Sequence, residues 1–173
     1  MYKRSVQYTL MTCTLVIIVA ALAPVLFPFA WHLIHRKSQY YAGYVISVPG
    51  RFILLKSQNR ARLVSARTVF SNQVYKFELI EMHQGNRVVD IEAWRKEALM
   101  AMIQKKYTNV QSFDISAANI PTTCVERSQD NPEVATIVYC KNSSGLVIQY
   151  FGDRAGVSQL LEILRNLNYS NSK

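Results

Sequence analysis

Residues Leu10 to Ile34 read LMTCTLVIIVAALAPVLFPFAWHLI, 25 residues without one Asp, Glu, Lys or Arg. Lys3 and Arg4 precede the stretch, and Arg36 and Lys37 follow it. A helix crosses the hydrocarbon core of a bilayer with about 20 apolar residues, and a backbone in lipid must satisfy its own hydrogen bonds. The run therefore reads as a helical membrane anchor, with everything behind it a tethered domain. A cleaved secretory signal shares the basic start and the apolar middle. Against cleavage, Ala21 and Ala23 form an A-x-A followed by Pro24, and the apolar run continues well past them. Leu10-Met11-Thr12-Cys13 is a poor lipobox and lies too close to the start.

Working outward, Pro24 and Pro28 predict a kink in the outer half of the helix. Trp31, His32, His35, Tyr40, Tyr41 and Tyr44 read as an interfacial belt. The chain divides into a basic tail (1–9), the anchor (10–34), a juxtamembrane linker (35–43), a folded domain (44–168) and a polar tail (169–173). The residues behind the anchor suffice for one compact domain and not for two.

The net charge of +9 is unevenly spread. No acid precedes Glu78, whereas Lys3, Arg4, Arg36, Lys37, Arg51, Lys56, Arg60, Arg62, Arg67 and Lys76 are all cationic. From Glu78 onward ten cations face eleven acids, so the excess belongs to the first part of the chain. Basic residues beside a membrane are worth about 1 kcal/mol each against an anionic leaflet. Arg36, Lys37, Arg51, Lys56, Arg60, Arg62 and Arg67 are thus the candidate contacts to lipid head groups or to an acidic partner; the alternative is a merely solvated basic face. Nucleic acid, the other usual partner of a chain with pI ≈ 9.6, is not expected, because RNP-like, helix-turn-helix and zinc-finger patterns are absent.

Tyr44 to Val48 is a β-type run closed by the turn dipeptide Pro49-Gly50, and Phe52 to Leu55 resumes it, as a hairpin or one bent strand. Arg60 to Phe70 is strand or loop. Over Val74 to Met82, Tyr75, Phe77 and Leu79 alternate with Lys76, Glu78 and Ile80, a strand with one face on a core. Asp90 is the expected N-cap of a helix over Ile91 to Lys106, with Ile91, Trp94, Ala98, Ala101 and Met102 on one face and Glu92 and Lys96 paired on the wet side. Met100 and Met102 read as core filler. Val110–Ile115, Pro121–Arg127, Val134–Lys141 and Leu146–Phe151 are further strands, separated by turn chemistry at 129–132 and 142–145. A closing helix spans Gly156 to Asn168, striped by Val157, Leu160, Leu161, Leu164 and Leu167 and preceded by the N-cap Asp153.

Strands, helix, strands, helix make an α+β fold: a mostly antiparallel sheet packed with two helices, an α/β/α sandwich. Over Tyr44 to Asn168 this layout resembles the PsbP-like family: an opening strand ending in Pro49-Gly50, a central amphipathic helix, a meander carrying Leu146-Val147-Ile148-Gln149-Tyr150-Phe151-Gly152, and a leucine-striped final helix. The resemblance implies a non-enzymatic module that docks on a larger, often membrane-bound assembly.

If the chain turns around 129–133, residues whose numbers sum to about 264 oppose one another, and Cys124 and Cys140 meet that condition. They are the candidate disulfide in an oxidising compartment, and two small buried thiols in the cytosol. Cys13 lies inside the anchor. His32 and His35 are three apart, but a zinc site needs at least three protein ligands and none is near, so they read as interfacial histidines. Asn142-Ser143-Ser144 and Asn168-Tyr169-Ser170 match the N-glycosylation pattern. G-x-S-x-G, P-loop, H-E-x-x-H, G-x-G-x-x-G and C-x-x-C motifs are absent, so neither catalysis, a cofactor, a metal nor a small-molecule substrate is expected.

Sidedness pulls two ways. Lys3 and Arg4 before the anchor against Arg36, Lys37 and Arg51 after it place the domain in the cytoplasm by the positive-inside count. The short N-terminal tail of a signal-anchor and the matched cysteines place it outside. The reading is a single-pass, membrane-anchored, non-catalytic binding or assembly module on the extracytoplasmic side, contacting lipid and a protein partner. A cytoplasmic-facing accessory subunit of a membrane complex is the alternative, and a small membrane-tethered hydrolase the third.

Overall fold

The computed structural model describes residues 2–66, 77–87, 90–104, 108–129 and 135–169. Arg67, residues 74–76 of the expected strand, the end of the expected helix at Lys105 and Lys106, the turn at 130–133 and the tail beyond Tyr169 lie outside them. Helix α1 (Tyr2–Ile34) leads the chain. Next come β1 (Ser38–Tyr41) and β2 (Tyr44–Ser47), an antiparallel hairpin turned by Ala42 and Gly43 at φ 49° and 83°. Two residues with positive φ form the loop that suits the natural strand twist. Residues 35–43, expected as a linker, therefore hold a strand.

At Pro49 the carbonyl accepts the Phe52 N–H at 2.8 Å, and this turn carries the chain into a second sheet. The runs on either side of Pro49-Gly50 are neither a hairpin nor one bent strand. The second sheet begins with β3 (Ile53–Lys56), β4 (Arg60–Ala66) and β5 (Phe77–Gln84), each antiparallel to the next. Helix α2 (Ile91–Gln104) then crosses to the far edge. From there β6 (Asn109–Ala117), β7 (Ile120–Ser128), β8 (Thr136–Asn142) and β9 (Leu146–Gly152) step back until β9 pairs with β5. The spatial order is β3-β4-β5-β9-β8-β7-β6, all antiparallel. A 3-10 turn (Arg154–Gly156) opens α3 (Val157–Arg165), and β10 (Asn168–Tyr169) returns to β2, so the small sheet reads β1-β2-β10.

One face of the large sheet is the core. Leu63, Ile80, Met82, Cys124, Val138, Cys140, Ile148 and Tyr150 lie on it and are buried. Against them α3 lays Leu160, Ile163 and Leu164, followed by Leu167, and the small sheet lays Tyr44 and Ile46. Full burial of each such leucine contributes about 2 kcal/mol, which a nine-residue helix needs because its own propensity is marginal. In β5 the buried alternate set is Glu78, Ile80 and Met82, the opposite of the face expected from Tyr75, Phe77 and Leu79.

Helix α2 lies on the other face, across β6 and β7. The Asp90 carboxylate accepts the Ala93 N–H at 2.9 Å, as an N-cap should. Glu92 pairs with Arg95 at 3.3 Å, one turn-position short of the expected Lys96. Met102 is the only buried residue of α2 among the described residues. Met100 is 58% exposed and Ile103 64% exposed, so Met100 is not core filler.

The expected kink in α1 is real: its two arms, Gln7–Ala23 and Val25–Ile34, meet at 61° around Pro24. Proline removes one backbone donor and clashes with the preceding turn, which bends a helix at that point. No single helix among the described residues is long and apolar enough to cross a membrane, but the two arms taken together pass that test of length and composition.

The tightest packing lies where β9 meets α3. A Cβ placed on Gly156 would collide with the Tyr150 hydroxyl and the Glu78 carboxylate, neither of which has room to retreat. Gly156→Ala should therefore lower stability by about 1–3 kcal/mol despite the usual gain from replacing a helical glycine, read as a fall in Tm of the detergent-solubilised chain.

Candidate functional site

The cations singled out in the sequence separate into two groups. Arg51, Arg60 and Arg62 are engaged by acids of β5. The β4–β5 register sets Arg62 directly opposite Glu81 and Arg60 opposite His83. Arg60 Nη1 reaches one oxygen of Glu81 at 3.1 Å and Arg62 Nε the other at 2.6 Å. Two half-exposed guanidiniums thus share one nearly buried carboxylate. Close by, burial and then the Glu81 charge push the Tyr41 phenol up, with Arg60 opposing.

Arg51 Nη2 lies 2.6 Å from Glu78 Oε2. Glu78 is fully buried while Arg51 is 43% exposed, so the arginine carries the charge of a core carboxylate toward solvent. Around this pair the Tyr150 hydroxyl donates to the Asp153 carbonyl at 2.7 Å, and the Asp153 carboxylate accepts the Gly156 N–H at 2.8 Å, capping the 3-10 turn as expected. In sequence Glu78 looks like an ordinary alternation residue; the signal against that is Ile80 and Met82, which share its face.

The second group is Arg36, Lys37 and Lys56, all exposed. Gln39 joins them at the foot of α1: its amide donates to the Arg36 carbonyl at 2.9 Å, and its Oε1 accepts from Lys56 Nζ at 2.9 Å. Among the described residues these three cations make no ion pair.

The foot of α1 is docked on the domain. His32 Nε2 lies 3.1 Å from the Pro49 carbonyl and 3.0 Å from the Phe52 carbonyl. Both partners are acceptors, so this nitrogen carries the proton. The Trp31 indole packs on the core and stacks on His35 at 4.4 Å, while His35 Nδ1 donates to the Trp31 carbonyl at 3.0 Å. Of the expected interfacial belt, Tyr41 and Tyr44 belong instead to the hydrophobic core, and Tyr40 stays exposed. No group of three His, Cys, Asp or Glu side chains that could hold a metal ion occurs among the described residues.

Cys124 and Cys140 are direct cross-strand partners between β7 and β8, as the sum of 264 required, with sulfurs 2.03 Å apart and both residues fully buried. Asn142 is buried and works as a turn residue, its Oδ1 accepting from the Ser144 hydroxyl at 2.7 Å and the Leu146 N–H at 3.0 Å. That fixes it in the β8–β9 turn and removes it as a glycan acceptor. Asn168 is exposed.

A cavity of about 370 Å³ opens beside α2. Trp94, Ala98, Ala101 and Met102 form one wall, and Arg127, Tyr139, Lys141 and Val147 the floor. Arg95 holds α2 over the sheet, reaching Asp114 Oδ1 at 2.5 Å and the Thr123 hydroxyl at 3.2 Å. The hydrogen bond from Thr123 is the main reason that the Asp114 carboxyl sits below its ordinary value; burial opposes it and Arg95 adds to it.

No known family model matches this sequence, and no curated protein is similar to it.

Two outcomes follow from the ion pairs. Arg51→Met should cost about 3 kcal/mol, since it removes the ion-pair partner at 2.6 Å of a buried carboxylate, and adding Glu78→Gln should restore part of the loss; chemical denaturation of the four members of that cycle reads the coupling. Asp114 has a depressed folded-state pKa, so its contribution is present above its ordinary value of 3.8 and is lost as pH falls through the lower folded value. Asp114→Asn should lower Tm on the neutral side, where the contribution is present, leave it unchanged at about pH 2, and so flatten the acid side of a Tm-against-pH curve between about pH 5 and 2.

Proposed function

We propose that this chain is a single-pass membrane protein whose first helix anchors an α+β domain acting as a non-catalytic binding or assembly module at the membrane surface. The observation that carries the reading is the state of α1. Apart from Trp31 at its foot, its large apolar side chains from Leu10 to Ile34 stand between 48% and 81% exposed, with no protein to cover most of them. A helix apolar all round belongs in a hydrophobic medium. Arg36, Lys37 and Lys56, gathered at its foot, are then the contacts for anionic head groups. Arg60 and Arg62 serve Glu81 first, and a protein partner is the further surface the domain offers.

The side is extracytoplasmic on the argument of compartment. A bridge between buried cysteines persists where the medium is oxidising. The layout resemblance to PsbP-like domains supports the same class of role, a module docked on a membrane-bound assembly. The positive-inside count favours the alternative, an accessory subunit on the cytoplasmic face.

In native membranes the full chain should stay in the pellet through alkaline carbonate extraction, and thiol trapping should recover the Cys124 and Cys140 peptides linked. Release into the supernatant removes the anchor. Two trapped thiols in pelleted protein move the domain to the cytoplasmic side. Reduction of the bridge, which closes a loop of sequence separation 16, should cost about 3 kcal/mol of stability.

A further inference from the structure

The large sheet ends at β6. Among the described residues this strand pairs with β7 alone, and its other side meets no strand. Sheet edges are ordinarily blunted by a short strand, a proline, a bulge or a lysine, because unpaired backbone groups template another chain. β6 uses none of these. Its nine residues, NVQSFDISA, hold neither Pro nor Lys and keep one register against β7 from Asn109 to Ala117.

The hairpin fixes which backbone groups point outward. Ala118 and Asn119, both at positive φ, form a two-residue loop, so the flanking pair Ala117↔Ile120 exchanges its backbone hydrogen bonds. Alternation then leaves the N–H and C=O of Val110, Ser112, Asp114 and Ser116 facing away from β7. Pro121, which has no N–H to donate, falls opposite Ser116 as this phase requires. Apolar side chains flank the edge on both faces. Phe113 and Ile115 are only partly buried on the core side. On the α2 side Arg95 reaches Asp114, and Leu99 and Ile103 follow Arg95 at four-residue steps, with Ile103 64% exposed.

The four outward residues select a partner. About a two-fold axis, outward residues of one copy must meet outward residues of the other. Pairs whose numbers sum to 226 use all four: Ser112 meets Asp114, and Val110 meets Ser116. One Ser112 hydroxyl then donates to the other copy's Asp114 carboxylate, which stands 58% exposed. On the opposite face the two Phe113 rings become an aromatic cross-strand pair in a non-hydrogen-bonded position, where side chains lie closest. A sum of 224 carries Ser116 past the end of the strand, and a sum of 228 sets two Asp114 carboxylates against each other, which is destabilising.

We propose that this chain forms a two-fold dimer by pairing β6 with β6 of a second copy, in the register that centres the axis on Phe113. The pairing uses the edge of the domain and does not require that α1 cross a membrane.

The test uses the full chain in detergent with Cys13→Ser, which removes the free cysteine. Native mass spectrometry should find a dimer whose share rises with concentration. Two Ser112→Cys copies lie diagonally about 7 Å apart in this register, so a short bismaleimide should join them. Two Ser116→Cys copies lie about 20 Å apart and should stay unlinked. Ser112→Pro removes an outward N–H that the β7 ladder does not use and should abolish the dimer. Ser112→Asp, which sets like charges opposite Asp114 twice, should weaken dimerisation about tenfold. An intact Cys124–Cys140 link checks the folding of each variant, and Ser112→Asp alone decides if the proline variant misfolds. A monomer at every concentration, equal linking at the two cysteine positions, or a dimer indifferent to Ser112→Asp would each overturn the pairing, the last moving the contact to α1. In native membranes, linkage of Ser112→Cys to a different chain would assign the edge to that chain and overturn the dimer.

Discussion

The pairing of β5 with β9 holds the domain together. β3, β4 and β5 form one meander, β6 to β9 another, and the ladder from Leu79↔Phe151 to Gln84↔Leu146 is their common seam. Every other neighbouring pair in the large sheet is consecutive along the chain, so its closure entropy is small. The seam brings together residues more than sixty positions apart, after α2 has crossed the sheet. The buried groups that give the core its specificity sit along it: Ile80 faces Tyr150, Met82 faces Ile148, and Glu78 lies beside the glycines that admit it. So non-local a pairing slows folding, because closure entropy is lost before the contacts form.

The same seam explains how an uneven sequence becomes an even protein. The first 77 residues hold no acid, and read as a string they suggest a strongly cationic surface. Pairing β4 to β5 delivers Glu81 between Arg60 and Arg62, and burying the start of β5 delivers Glu78 to Arg51. Two acids of β5 thus engage three of the ten early cations across strands, and Arg36, Lys37 and Lys56 remain as a positive patch near the foot of α1.

Local signals read well from sequence where one physical rule governs. Asp90 and Asp153 cap their helices, Pro24 bends α1, and the number sum places Cys124 opposite Cys140. Signals that depend on distant partners did not. Glu78 looks like a solvent residue until Arg51 is beside it. Tyr41 and Tyr44 look interfacial until the β1–β2 hairpin folds back on the core. The β6–β7 turn runs through Ala118 and Asn119 at φ 54° and 61° without a glycine, so its sequence carries little warning of a tight hairpin. The cavity beside α2 was invisible for a similar reason: its lining comes from four separate elements, and its apolar half has the spacing of an ordinary core face.

The joint between α1 and the domain has a geometric corollary. Only His35, Arg36 and Lys37 separate the helix from β1, a span of about 10 Å fully extended, and His32 is bonded to the Pro49 and Phe52 carbonyls besides. With α1 embedded in lipid, the domain could neither swing out on a stalk nor search the space above the bilayer. Its working volume would be a thin layer one domain deep, about 35 Å for a chain of this size. Anything it meets would have to arrive at that height, in the plane, presenting itself to a body whose orientation is already set.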